Sequence, residues 1–259
     1  MALTTNFSGL ASGIDTKALT EAIMSQESKG LDRLTAQQTK NKSKSTVVTS
    51  LKNGMNSLNT SLAVLDDKLK SGDSAAITAA MQDVVTKFNA VQKIYKDNST
   101  ITRASDSSIV KGPLADDPTI KNMMSQLKLD FSGSKNTATL AYSNPASIGI
   151  KTGVDGTLSM DTAAFQAALT NDKEAVKSIS QFNNLKDTIS KSTSSTTGST
   201  ILQLQQNIDS QNKILSSQIL TKQSQLAVKE SMYKAQFTKM ETAIAQLKAA
   251  SGFLFNASA

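Results

Sequence analysis

The sequence predicts a mainly α protein, an elongated antiparallel coiled coil of the N- and C-terminal helices plus a helical bundle with a small β element. Apolar residues recur at heptad spacing near both ends of the chain. All three prolines fall between Pro113 and Pro145, so nothing forbids continuous helix in the two long flanks. Aromatic residues make up only 4% of the chain and Trp is missing, which leaves Leu, Ile, Val, Met and Ala to fill the interior.

The first flank runs from Thr16 to about Lys70. Leu19, Ile23, Leu31 and Leu34 open it, and Leu51, Met55, Leu58, Leu62, Leu65 and Leu69 then step by four and three, the seam of a coiled coil. Asp15 is placed as its N-cap. At 1.5 Å per residue such a helix would run roughly 80 Å. Gly54 and the polar stretch from Asn41 to Thr46 are its expected weak points, and Asn41 to Thr46 is the expected hinge.

A turn at Lys70 to Ala75 leads to a second helix. Ile77, Met81, Val84, Phe88, Val91 and Tyr95 repeat the same four-three stepping, and Ser74 is the expected cap. Pro118 is expected to start a short helix near Thr119 to Leu127. Alternation around Asp155-Gly156 signals a small hairpin. Asp161 should cap a helix carrying Phe165 and Leu169, and a further helix should include Val176 and Ile179. Ser190 to Thr200 reads as a flexible connection.

The last flank carries Ile201, Ile208 and Leu215 at sevens. After a four-residue step, a stutter, Ile219, Leu226, Tyr233, Met240, Leu247 and Leu254 continue, with Phe237 and Ile244 as companions. Two terminal helices with one narrow apolar stripe each pair most simply with one another. The expected organisation is therefore a leg from 1–45 and 216–259, and a bundle with a hairpin from 46–215. Apolar residues at the extremities, Phe7, Leu10 and Ile14 before the first helix and Leu247, Phe253, Leu254 and Phe255 at the finish, exceed what a helix pair covers and predict contacts with other subunits.

Composition narrows the chemistry. The chain has no His and no Cys, which removes the usual general base, thiol nucleophiles, zinc clusters and disulfides. No cofactor or metal is expected, and no catalytic residue is assigned. Reading Gly156 as position six of a calcium loop puts Lys151, Gly153 and Thr162 where carboxylates are needed, so Asp155 to Asp161 is a turn followed by a cap. Asp66/Asp67 and Asp116/Asp117 read as solvated surface charge rather than acid-base pairs. A net charge of +7 raises nucleic acid as a partner. However, the lysines are scattered, only Arg33 and Arg103 supply guanidinium groups, and no aromatic interleaves with a basic cluster, so nucleic acid is not expected as a partner. The opening lacks the basic start and unbroken apolar core of a secretory signal, and no run approaches a membrane span, so membrane insertion is not expected.

Four blocks in order carry a resemblance: "GLASGIDTKALTEAIMSQES" (Gly9 to Ser28), "GPLADDPTIKNMMSQL" (Gly112 to Leu127), "IGIKTGVDGTLSMDTAAFQAALTNDKEAV" (Ile148 to Val176) and "YKAQFTKMETAIAQLKAASGFL" (Tyr233 to Leu254). Together they resemble the flagellar hook-associated protein 2 family, the flagellar filament cap proteins. The resemblance implies a homo-oligomer of several copies at the tip of the growing flagellum, beneath which flagellin folds and inserts. It further implies contacts with the hook-filament junction protein, a flagellar export chaperone, and export through the type III channel without a cleavable signal. Members carry a large β-rich insertion between the first two long helices, which forms the plate of the cap. Here Lys70 to Ala75 joins those helices directly, so plate contacts are not carried over and subunit contacts fall to the bundle and the legs. A flagellin-like filament subunit is the structural alternative, without the Asn-rich opening or Arg-containing heptad expected of it, and a coiled-coil nucleic-acid binder is the more distant one.

Overall fold

The computed structural model describes residues 11–133, 142–196 and 198–257, the last six of these by backbone alone. Chain order is α1 (Thr16–Ser71), α2 (Ser74–Ser99), β1 (Ile101–Arg103), β2 (Ile109–Lys111), α3 (Pro118–Ser132), a 3-10 turn (Pro145–Ile148), β3 (Ile150–Thr152), β4 (Leu158–Met160), α4 (Thr162–Asn171), α5 (Lys173–Ser180), α6 (Asn183–Thr193) and α7 (Thr200–Ala257). The fold is mainly α, with two separate two-stranded antiparallel ribbons among the described residues. Two compact units emerge, one from Met1–Thr39 with Gln211–Ala259 and one from Lys40–Ser210. The long helices α1 and α7 contribute to both.

The unit from Lys40 to Ser210 holds the core. Every residue of the seam Leu51, Met55, Leu58, Leu62, Leu65 and Leu69 is buried, as are Ile77, Met81, Val84, Phe88 and Val91 on α2 and Ile201 and Ile208 on α7. Gly54 does not interrupt α1. A Cβ there would lie 3.3 Å from Val91 and Ile94 side-chain carbons, so the missing side chain admits α2 against α1, and the helix runs through unbroken. Phe131 of α3 stacks on Phe182, with centroids 4.6 Å apart, and meets Phe88 at 5.0 Å, which joins α2, α3 and the start of α6.

Several local expectations need correction. Asp73, not Ser74, caps α2, accepting from the Ala75 and Ala76 amides; a carboxylate at a helix N-terminus also gains from the macrodipole. Helix α3 continues past Leu127 to Ser132, because Phe131 extends the buried stripe of Ile120, Met124 and Leu127. The Ser/Thr-rich connection is partly helix. Leu185 and Ile189, four apart and buried, carry α6 through Ser190 to Thr193. Asp117 is not solvated. It is buried, caps α3 by accepting from the Ile120 amide at 3.0 Å, and pairs with Lys44 at 2.6 Å. Its neighbour Asp116 is exposed and pairs with Lys111 at 2.9 Å, while Asp66 pairs with Lys186.

The hairpin at Asp155-Gly156 is present, with Ile150 opposite Met160, Lys151 opposite Ser159 and Thr152 opposite Leu158. Asn89 of α2 holds it: its amide donates to the Leu158 carbonyl at 2.8 Å and its oxygen accepts from the Leu158 amide at 2.7 Å. Asp155 accepts from the Thr157 hydroxyl and amide, which keep its carboxyl below the usual range, so it serves the turn. Asp161 caps α4 through the Ala164 amide.

Candidate functional site

The unit formed by the first and last stretches of the chain is a two-helix pair whose contacts fix its direction and register. Gln38 donates to the Ser216 hydroxyl at 2.8 Å, the Lys229 ammonium pairs with Glu27 at 2.7 Å, and the Ala11 amide donates to Glu241 at 3.0 Å. Each step back along α1 meets a step forward along α7, so the helices are antiparallel. Between these pairs, a Cβ on Gly30 would stand 3.3 Å from the Lys222 stem, so the small residue seats a long one. The amide of Ala18 donates to Asp15 at 2.9 Å, which makes Asp15 the N-cap of α1 as its sequence position indicates.

Glu241 is the best-anchored carboxylate of this unit. It is buried, and it accepts from the Ala11 and Ser12 amides and from the Ser12 hydroxyl. These donors, the hydroxyl first and then the amides, hold its carboxyl below the ordinary range, with the Lys248 charge adding to them. Lys248 in turn donates to the Ala11 carbonyl at 2.5 Å. The segment entering α1 is thus strapped to α7 by one carboxylate and one ammonium. Sequence periodicity passes over Glu241 because it sits one position beyond Met240 in the run of sevens; a lone Glu among apolar companions was its only signal. Lys229 and Glu27 shift one another's titration, Glu27 downward and Lys229 upward, each chiefly through their hydrogen bond.

The expected seam residues fall into three groups. Leu226 is buried. Ile23, Leu31, Leu34, Tyr233, Phe237, Met240 and Ile244 are only half-buried, and Leu19 is 41% exposed. Two helices alone therefore leave most of this seam in partial contact with water, unlike the Leu51–Leu69 seam, which α2 and its neighbours cover. Among the expected contact residues, Ile14 and Leu247 are exposed. Phe7 and Leu10 lie outside the described residues, and Phe253, Leu254 and Phe255 are described only as part of the helical backbone of α7. Sequence periodicity also passed over exposed Ile214, Val228 and Met232, which share a second face of α7 by their spacing of fourteen and four.

Asn41 and Thr46 are helical. Asn41 is half-buried, and the Thr46 hydroxyl donates back to the Lys42 carbonyl at 3.2 Å, a bond that competes with the helix ladder. Among the described residues no cluster of His, Cys, Asp or Glu could hold a metal ion, and no helix is long and apolar enough to cross a membrane.

A comparison with curated proteins returned no match. A comparison with protein families aligned residues 34–249 with the family described as flagellar hook-associated protein 2 C-terminus, a span that takes in most of α1, all of the helical bundle and nearly all of α7. Covering well over half of the sequence, that match joins the paired long helices and the ribboned bundle in one assignment: the chain belongs to the flagellar hook-associated protein 2 family.

Proposed function

We propose that the chain is a non-enzymatic assembly factor that caps the distal end of the bacterial flagellar filament and promotes the folding and insertion of flagellin. The observation that carries this reading is the family match over residues 34–249, together with a helix pair whose seam stays half-wet on its own. A seam of that kind is a binding surface in waiting, because completing its burial with partner helices returns roughly 25 cal/mol per Å² of apolar area. In this reading Phe7, Leu10, Ile14, Leu247, Phe253, Leu254 and Phe255 meet neighbouring copies, flagellin or the hook-filament junction protein. The protein travels through the flagellar type III channel with an export chaperone and works outside the cell as a homo-oligomer.

The stretch Asn41 to Thr46 is the hinge that lets the legs tilt as each flagellin enters. Its support is polar composition, with no residue of the expected seam between Leu34 and Leu51. Hydrogen exchange on the assembled cap tests it, and slow exchange across those residues rejects the hinge.

The decisive experiment for the function is deletion of the gene. The cap reading expects unpolymerised flagellin in the medium and short or missing filaments. Normal filaments in the deletion strain overturn it, and long filaments formed by the isolated protein favour a flagellin-like subunit instead.

A further inference from the structure

The ribbon β1–β2 stands apart from the chemistry considered so far. It pairs Ile101 with Lys111, Thr102 with Val110 and Arg103 with Ile109, and every one of these six residues is exposed. Three are large and apolar: Ile101 at 55%, Ile109 at 62% and Val110 at 51%. A two-stranded ribbon without an apolar cover is marginal in water, and three or more strands are the usual remedy. Its base is nevertheless fixed. The Gly112 amide donates to the Thr100 carbonyl, the Leu114 amide donates to the Asn98 carbonyl, and a Cβ on Gly112 would fall 2.3 Å from the Asn98 oxygen.

Hydrogen bonds at both ends of the ribbon reveal which backbone groups face outward. The Gly112 amide bonds Thr100 and the Ala104 amide bonds Ser108, so by alternation Thr102 and Val110 form the inward-bonded pair between them. Ile109 and Lys111 then turn their amides and carbonyls to the free edge of β2, and Ile101 and Arg103 do the same on β1. The two edges differ in charge. Lys111 is already neutralised by Asp116 at 2.9 Å, whereas Arg103 has no ion-pair partner among the described residues. The edge of β2 is therefore the one that accepts a neighbour without burying an uncompensated charge.

The geometry points to the β2 edge as a pairing site for β2 of a second copy of this chain, antiparallel about a twofold axis at Val110. Only that register sets the outward groups of Ile109 against those of Lys111 in both directions, making four backbone hydrogen bonds. Centring on Lys111 would set two lysines face to face, and centring on Ile109 would keep only one bonded pair. In the chosen register Val110 meets its own copy across the axis, and each Ile109 lies along the stem of the other copy's Lys111. The result is a four-stranded sheet shared by two molecules, an isologous contact. It stands on the ribbon alone and does not depend on the cap reading, which the flagellin-release assay tests separately.

The absence of Cys from the chain makes the test direct. A Val110→Cys protein places two sulfurs at a non-hydrogen-bonded antiparallel pair, where Cα atoms stand about 4.5 Å apart, within the roughly 4.4–6.8 Å window for a disulfide. Mild oxidation then traps the dimer, at a rate up to about 1,000-fold above Thr102→Cys and Ser107→Cys controls, since paired sites see millimolar rather than micromolar thiol. Adding Lys111→Glu in the same chain should not abolish trapping, because Ile109 rather than another charge faces it, while Ile109→Pro should abolish it by removing an edge amide. Far-UV circular dichroism confirms that each variant is folded. Equal rates at the three positions, faster trapping at Thr102→Cys, or trapping only in a mixture of Val110→Cys with Thr102→Cys copies would overturn the proposed pairing.

Discussion

Replacing Lys44 by Met isolates a charge that the core cannot easily release to water. Asp117 has a side chain only 4% exposed and is held by two donors, the Lys44 ammonium at 2.6 Å and the Ile120 amide at 3.0 Å. Removing one partner of a buried pair costs about 3–5 kcal/mol. Lys44 is 27% exposed and the cap hydrogen bond survives, so the expected loss is smaller, about 2–3 kcal/mol. Asp117→Asn keeps a good N-cap and lets Lys44 turn to solvent, so its loss should be near 1 kcal/mol. The double variant should lose less than the sum of the two, with a coupling of about 1 kcal/mol or more. Urea unfolding followed by near-UV circular dichroism is the assay, because Tyr95 and Tyr142 pack against the core of the Lys40–Ser210 unit. A Lys44→Met loss below about 0.5 kcal/mol, the scale of an ordinary surface change, would refute the reasoning.

Asn89→Leu should cost about 2–4 kcal/mol, because both backbone groups of buried Leu158 lose their partner at about 1–3 kcal/mol each; the same urea assay reads it, and a neutral result would mean that the β3–β4 ribbon holds without α2. Phe131→Ala should cost about 3–5 kcal/mol, since its ring lies between Phe88 and Phe182, and calorimetry should show the loss as a lowered Tm. Glu241 has its folded pKa lowered, so its stabilisation is complete above the ordinary carboxylate range and is lost as pH falls through the lowered value. Amide exchange at Ala11 and Ser12 should therefore rise, relative to the intrinsic rate, only at pH below the ordinary carboxylate range, and in Glu241→Ala it should be high at every pH.

Heptad stepping made the core seam legible because the three-to-four rhythm from Leu51 to Leu69 has no rival interpretation, and each of those residues is buried. The limits of α1 and the turn at Asp155-Gly156 were equally plain, one set by Asp15 and the Gly72 turn, the other by a Gly with positive φ. What escaped the reading was structure supported by few apolar residues. Helix α6 is mostly Ser, Thr, Asn and Lys, and only the packing of Leu185 and Ile189 selects helix over loop. Ribbon β1–β2 has three residues per strand and shows no long alternation. The terminal helix pair was legible as a pair, but its register was not: Glu27 with Lys229 and Glu241 with Ala11 join residues some two hundred positions apart, which periodicity cannot align. Asp117 was misread for a similar reason, since its partner Lys44 lies on another helix.

Immunogold labelling of purified flagella with an antibody against this chain tests the central claim most directly. Gold is expected at the distal tip of each filament and none along the shaft. Labelling along the whole filament, or only where the filament meets the hook, would contradict it.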